Sequence, residues 1–241
     1  MRSVIVYEDK QLLVIHKPAG LATQSADVCS KDVVSEIRGH LKTPYLGIVH
    51  RLDQPVEGLL VMAKDKKTAA ALSRQLEKGI LSKEYTALAA DCRSEGSGAL
   101  KKGMVIRAEN LIKKDNRTKK AMVRDLPNDN ASAATEKDWK KAVLELVIED
   151  VFPDDGSLRC RIRIETGRFH QIRAQMSHMG LPLAGDLKYG NEKSALISER
   201  VNAAALALIA DRIGFEHPVT HKRMEFSIDK NDLPECFMHG Q

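Results

Sequence analysis

The sequence predicts an α+β fold: a mixed, mainly antiparallel β-sheet core with a few flanking helices. Three observations point there. Short apolar runs with strand-like patterning recur along the whole chain. Helical patterns alternate with them but are few, and the strands cluster in antiparallel order. Neither an internal repeat nor a long linker divides the 241 residues. With 43% hydrophobic and 29% charged residues and a mean hydropathy of −0.31, such a chain buries roughly 70% of its unfolded surface. We expect one domain over residues 1–241 with a loop-rich middle.

Taken in order, Val4–Tyr7 and Leu12–Ile15 read as strands and Asp32–Leu41 as a helix. Gly58–Ala63 (GLLVMA) reads as a buried strand, and Asp65 caps a helix that runs through Lys78 and stops at Gly79. Ile80–Ala90 is extended, with Tyr85 near its middle. Residues 92–140 are polar, with loops at SEGSG and LPNDNASAATEKD, and hold a hairpin but no separate core. Lys141–Glu149 and Ser157–Ile164 alternate as strands joined by PDDG. Residues 168–179 form a helix closed by Gly180, while Ala203–Ala210 fits strand or helix equally well.

Several function classes are excluded early. The longest nearly unbroken apolar run, Ala203–Ala210, is far short of the roughly 20 residues that span a bilayer. Glu8 and Asp9 interrupt the N-terminus before a signal-peptide core can form, so the expected location is cytoplasmic, without membrane partners. Cys29, Cys92, Cys160 and Cys236 lie too far apart for a short zinc or redox motif and are expected to be reduced thiols. His217 and His221 have Pro218 between them and no neighbouring ligand cluster, so no metal is expected. Neither a Walker loop nor GxGxxG occurs.

Charge adds a lean toward nucleic acid. The net charge is +5, and Lys113–Arg124 (KKDNRTKKAMVR) alone carries six basic residues against Asp115. A second basic set comprises Arg159, Arg161, Arg163, Arg168 and Arg173. Such clusters attract phosphate polymers through charge and counterion release, although a solvated lysine-rich hairpin has the same composition.

Two segments carry more functional residue types than a core requires. In Gly47–Gly58 (GIVHRLDQPVEG), His50, Arg51 and Asp53 sit between strand-like Ile48–Val49 and a Pro55/Gly58 turn, a loop able to hold a carboxylate rigidly. In Thr166–Arg173 (TGRFHQIR), Arg168, His170 and Arg173 gather near a helix start, where anions are favoured.

His16-Lys-Pro-Ala-Gly20, His50-Arg-Leu-Asp53, Lys83-Glu-Tyr85, Gly167-Arg-Phe-His-Gln-Ile-Arg173 and Gly185-Asp-Leu-Lys-Tyr-Gly190 together resemble the ordered motifs of the RluA-type family of RNA pseudouridine synthases. The correspondence runs from about residue 4 to Ile228. The resemblance implies a fold with a central catalytic cleft and isomerisation of uridine to pseudouridine: the N1–C1′ bond breaks and uracil rejoins through C5. By motif, Asp53 matches the catalytic aspartate, Tyr85 the active-site tyrosine and Arg173 the aspartate-pairing arginine. The reaction is redox-neutral and needs no group donor, so no cofactor is expected. A stacked base is out of reach and must be flipped. Arg51 matches the arginine that fills the vacated space, where a planar guanidinium stacks and hydrogen-bonds at once. His50, Arg168, His170, Arg161, Arg163, Lys113, Lys114, Lys119 and Lys120 are the further RNA-contacting candidates. With 4% aromatic residues, backbone charge and RNA shape are expected to dominate recognition of an rRNA or tRNA stem-loop. A monomer without a separate N-terminal RNA-binding domain is expected.

Two positions depart from the family pattern. Val56-Glu57 stands where a Thr-Ser pair is usual, and Gln175 where histidine is usual. Glu57 also opens a competing reading, a nucleoside or glycoside hydrolase using Asp53 and Glu57, which needs two carboxyls about 5–10 Å apart. Another competitor is a non-catalytic RNA-binding chaperone on the same fold, against which intact Asp53, Tyr85 and Arg173 speak.

Overall fold

The computed structural model describes residues 2–25, 30–43, 45–94, 96–127 and 138–238. Cys29 and most of the expected LPNDNASAATEKD loop lie outside the described residues. In chain order the first elements are β1 (Val4–Glu8), β2 (Leu12–Lys17), α1 (Val33–Leu41), β3 (Gly47–Ile48), β4 (Glu57–Ala63), α2 (Lys66–Glu77) and β5 (Ser82–Ala90). They continue as β6 (Val105–Asp115), β7 (Lys120–Asp125), β8 (Lys140–Phe152), β9 (Ser157–Ile164), α3 (Gln171–His178), α4 (Glu192–Arg200), β10 (Leu208–Glu216) and β11 (Arg223–Ser227). This is the sheet-dominated α+β architecture expected, and Ala203–Ala210 resolves into a loop entering β10. Among the described residues no helix is long and apolar enough to cross a membrane.

The chain divides into two compact units, Met1–Tyr85 with Leu208–Leu233, and Thr86–Ala207 with Pro234–Gln241. In the first, the strand order is β1-β2-β4-β10, with β3 on β4 and β11 on β10. β2 and β4 are antiparallel from Leu12↔Ala63 to Lys17↔Gly58, whereas β4 and β10 are parallel. Leu12–Ile15 and Leu60–Ala63 are fully buried, which explains why both runs are continuously apolar rather than alternating: strands covered on both faces have no polar side. The Asp65 side chain accepts from the Thr68 backbone at 2.8 Å to start α2. That helix sinks Leu72 into a cluster with Leu12, Val14, Leu59, Val61, Ile213 and Phe215. A leucine buried in this way contributes about 1.5–3 kcal/mol.

In the second unit the order is β5-β9-β8-β6-β7. β8 and β9 turn at PDDG, where Gly156 donates to the Phe152 carbonyl at 2.9 Å and Asp155 accepts from Ser157. β6 and β7 turn over Asp115–Lys120, with Asp115 accepting from the Arg117 backbone and the Thr118 hydroxyl while Lys119 adopts φ 53°. The middle of the chain departs from expectation. β6 and β7 contribute Ile112 and Ala121 to a small core with Ala142 of β8 and Ala174 of α3, so a segment that reads as polar is half-buried sheet. Its lysines lie at the exposed turn and mask the alternation beneath. α4 was also not anticipated, although Asn191 and Ser194 form a reciprocal capping box at its start.

Gly58 is the tightest point of the first unit. At φ +134° it lies where side chains are rarely tolerated, and a Cβ there would run into the backbone of Ala210 across the parallel β4–β10 contact. We expect Gly58→Ala to lower stability by at least about 2 kcal/mol, read as an earlier urea midpoint with an unchanged slope.

Candidate active site

Asp53 sits in the loop that leaves β3 and returns as β4. Both of its neighbours are clamped. The buried Thr23 hydroxyl donates to the Leu52 carbonyl at 2.9 Å and accepts from the Leu52 N–H at 3.1 Å. On the other side, the Gln54 carbonyl accepts from the Gly20 N–H at 2.9 Å and from the Lys17 ammonium at 3.2 Å. Val56 N–H closes the turn onto the Asp53 carbonyl at 3.0 Å. Asp53 itself remains partly exposed, and the neighbouring Arg51 is exposed.

Lys17 makes this possible at the end of β2. Its side chain has no exposure, and its ammonium donates to the carbonyls of Leu21 at 2.7 Å, Pro18 at 3.0 Å and Gln54. Burial pushes its pKa down to about 8, with the carboxylates of Glu57 and Asp53 opposing that drop. Glu57 in turn meets His16 Nε2 at 2.9 Å, so the carboxylate that departs from the family pattern is engaged next to the loop.

Tyr85 lies in β5, 4% exposed. Burial, reinforced by the negative charge of Asp53, pushes its phenol far up, and the ring stays protonated. His50 differs from the expected RNA contact. It is buried, burial and then the Lys83 charge hold its pKa well below the usual histidine value, and its Nε2 accepts from the Val61 N–H at 3.3 Å. A neutral, inward-facing imidazole that pins the loop to β4 has no phosphate to meet.

The second unit holds the other motif. Residues 168–170 form a turn before α3 instead of its first turn, with His170 at φ 51°. The Gln171 side-chain carbonyl accepts from the Thr166 hydroxyl at 2.8 Å and the Arg168 N–H at 3.0 Å, fixing that turn. Arg173 is 5% exposed on α3, and its Nε and Nη2 each donate to Asp186 at 2.7 Å. Burial alone would raise Asp186. The Arg173 guanidinium and the N–H groups of Lys188 and Tyr189 outweigh it and hold the carboxyl below the usual range. Arg173 also lies 5.2 Å from the Tyr189 ring centroid. The Tyr189 hydroxyl accepts from the Ala121 N–H at 2.6 Å and shares a 2.7 Å hydrogen bond with His170 Nδ1. His170 is therefore also nearly buried, a support rather than a surface contact. Gln175 is fully buried and donates to Asn110 Oδ1 at 2.8 Å, so the second departure ties α3 to β6.

The arginines of β9 share one face, as expected, and they meet acids of the sheet. Arg161 donates to Glu149 at 3.0 Å, and Arg159 is bonded to Asp150 and to the Phe237 carbonyl. Arg163 is exposed, and Arg168 Nε donates to the Lys141 carbonyl at 2.8 Å. Lys119 and Lys120 are exposed at the hairpin turn, and Lys113 meets Asp138 at 3.0 Å. Sequence reasoning singled out neither Lys17, Asp186 nor Tyr189 as a site residue. All three stand inside quoted motifs, and that was the available signal.

The family model for RNA pseudouridylate synthase matches residues 11–178. The uncharacterized RNA pseudouridine synthase YlyB of Bacillus subtilis is 31% identical over 96% of this chain and 69% of its own length. Ribosomal large subunit pseudouridine synthase D of Vibrio vulnificus is 34% identical over 92% of the chain and 65% of its own length. The chain thus spans about two thirds of these curated relatives. Human RNA pseudouridylate synthase domain containing 4 shares the fold, with a TM-score of 0.72 at 20% identity over 98% of this chain and 90% of that one. The chain belongs to the RNA pseudouridylate synthase family, isomerases that act on RNA.

Two outcomes test this geometry. Lys17→Met takes the ammonium from three carbonyls, leaving those of Pro18 and Leu21 without it while Gln54 keeps the Gly20 N–H. It should cost about 1–3 kcal/mol of stability per unsatisfied group in the worst case and reduce turnover more than RNA affinity, as read by chemical denaturation and saturation kinetics. Asp186→Asn should cost about 3 kcal/mol by leaving Arg173 buried beside a neutral partner. Because the folded pKa of Asp186 lies below the unfolded value near 3.9, its stabilisation is complete above that value and is lost as pH falls through the lower one. The wild type should therefore lose stability more steeply with acid than the variant in thermal melts across that range.

Proposed function

We propose that this chain isomerises uridine to pseudouridine in a structured RNA, with Asp53 as the carboxylate at the reacting nucleotide, Tyr85 against the uracil and Arg51 in the space the flipped base leaves. The observation that carries this reading is the double clamp on Asp53, from Thr23 on Leu52 and from Lys17 and Gly20 on Gln54. A reaction without a cofactor gains its rate from a carboxylate already aimed at the sugar or base, since a small misplacement forfeits alignment.

Tyr85 supports the same reading. A phenol held neutral stacks and hydrogen-bonds but is no phenolate base, so any proton it passes on from C2′ is replaced in the same step. Arg173 serves as a positioning arginine, fixed through Asp186. The exposed hairpin residues Lys119 and Lys120, with Arg163, are read as phosphate contacts. Ribosomal RNA is the favoured substrate because relatives such as the Vibrio vulnificus protein carry that name, and the cytoplasm is the proposed compartment. The hydrolase reading loses its second carboxylate, because His16 holds Glu57.

Asp53→Asn should lower isomerisation by at least about 100-fold while RNA affinity stays within about twofold, because the amide keeps the shape without the charge. Tyr85→Phe should lower turnover about tenfold or more at unchanged affinity. Carbodiimide mapping of pseudouridine in RNA from cells with and without the gene reads the first activity and identifies the uridine. Residual turnover above a tenth of wild type in Asp53→Asn moves the role to another residue, and release of free uracil favours hydrolysis.

A further inference from the structure

Phe169 is chemically out of place. It stands in the turn ahead of α3 with 37% of its surface exposed, in a chain with only five phenylalanines. Its ring is nevertheless held firmly. His170 stacks on it at 3.7 Å between centroids with 21° between planes, and His170 is braced edge-on by Tyr189 and bonded to the Tyr189 hydroxyl. The Lys114 ammonium lies 4.8 Å over the ring. A face filled by an imidazole at 3.7 Å has no room for an ammonium, so Lys114 covers the opposite, outward face.

That face opens on a groove of about 600 Å³ within the second unit, walled by Lys113, Lys114, Lys140, Arg168, Met122 and Phe169. Two acids border it. Asp138 is paired with Lys113 at 3.0 Å, and Asp115 is occupied by its own turn. The remaining field is positive, beside a flat aromatic surface with the Lys114 ammonium resting on it. A ligand suited to these features offers a π-face and an adjacent anion, and a nucleotide combines both.

We infer that the groove is a stacking subsite for one unpaired nucleobase of the RNA, lying outside the reacting uridine: the base takes the outer face of Phe169, and Lys114 turns from the ring to a neighbouring phosphate. The inference rests on the chain acting on RNA and adds a base contact to a recognition scheme otherwise made of charge and shape. A cation over an exposed ring gains little in water, so its exchange for a base is cheap.

The test compares wild type, Phe169→Leu and Phe169→Trp in binding a labelled uridine oligonucleotide of about 12 nucleotides and an abasic ribose-phosphate chain of equal length, by fluorescence anisotropy. Wild type should prefer the base-bearing chain. Phe169→Leu should bind it about tenfold more weakly and Phe169→Trp at least as tightly as wild type, while all three hold the abasic chain equally. Three results overturn the inference: wild-type affinity of Phe169→Leu for the uridine chain, an equal loss on both chains, or loss of base-dependent binding in Phe169→Trp. Turnover plays no part in the assay. A protein with this pattern that makes no pseudouridine keeps the subsite and loses the catalytic reading, and one that isomerises without the pattern does the reverse.

Discussion

One buried cation underlies the geometry of the proposed site. Lys17 has no exposure and, among the described residues, no direct carboxylate partner, and its charge is satisfied by the carbonyl oxygens of Pro18, Leu21 and Gln54. An unpaired buried ammonium is normally expensive. Here its desolvation is offset by those carbonyls and, through space, by Glu57 and Asp53. The loop around Asp53 depends on this arrangement, because the Gln54 carbonyl has no β-ladder to join and receives its hydrogen bonds from Lys17 and Gly20 instead. A shorter or neutral side chain at position 17 fills the space without holding the loop.

The second unit follows a different logic. Its central hydroxyl, on Tyr189, touches the backbone of β7 and the His170 ring, while the Tyr189 ring lies beside the Arg173–Asp186 pair. Turn, helix and hairpin are thereby registered against one another by one aromatic residue. The basic residues divide accordingly. Those on β9 that meet Glu149 and Asp150 serve mainly the sheet, whereas those at the β6–β7 turn are left to solvent. Net charge by itself does not make this distinction, since both groups count equally in it.

Most of the fold was legible in the residues. Continuous apolar runs marked β2 and β4, Asp65 marked the start of α2, and PDDG marked the β8–β9 turn, because each signal is local and strong. β6 and β7 were underestimated because their buried positions are alanines and scattered aliphatics between lysines. Asp53 and Tyr85 were singled out through motifs, and the structure adds how the Asp53 loop is held and that Tyr85 is buried. The Lys17 cage and the Tyr189 hub were not legible, since the contacts that give them their role, Lys17 with Gln54 and Tyr189 with Ala121, join positions tens of residues apart and leave no periodicity. His50 was misjudged for a related reason: histidine is as much at home as a buried acceptor as on a surface, and only burial separates the two.

The parallel contact of β4 with β10, closed over Gly58, has a consequence for the order in which the molecule assembles. The first unit is made of two stretches of chain, and all of Thr86–Ala207 is synthesised between them. The Glu57–Gly58 end of β4 therefore waits for its partner until Leu208 and the residues after it leave the ribosome, while the intervening unit already has its own strands. Domain-sized pieces fold as they emerge, and contacts of long sequence separation form last. The clamps on the Asp53 loop all come from residues upstream of β4, whereas the sheet beside Gly58 is completed only when β10 arrives. A nascent chain therefore holds the strands of the intervening unit before the sheet beneath the Asp53 loop is complete.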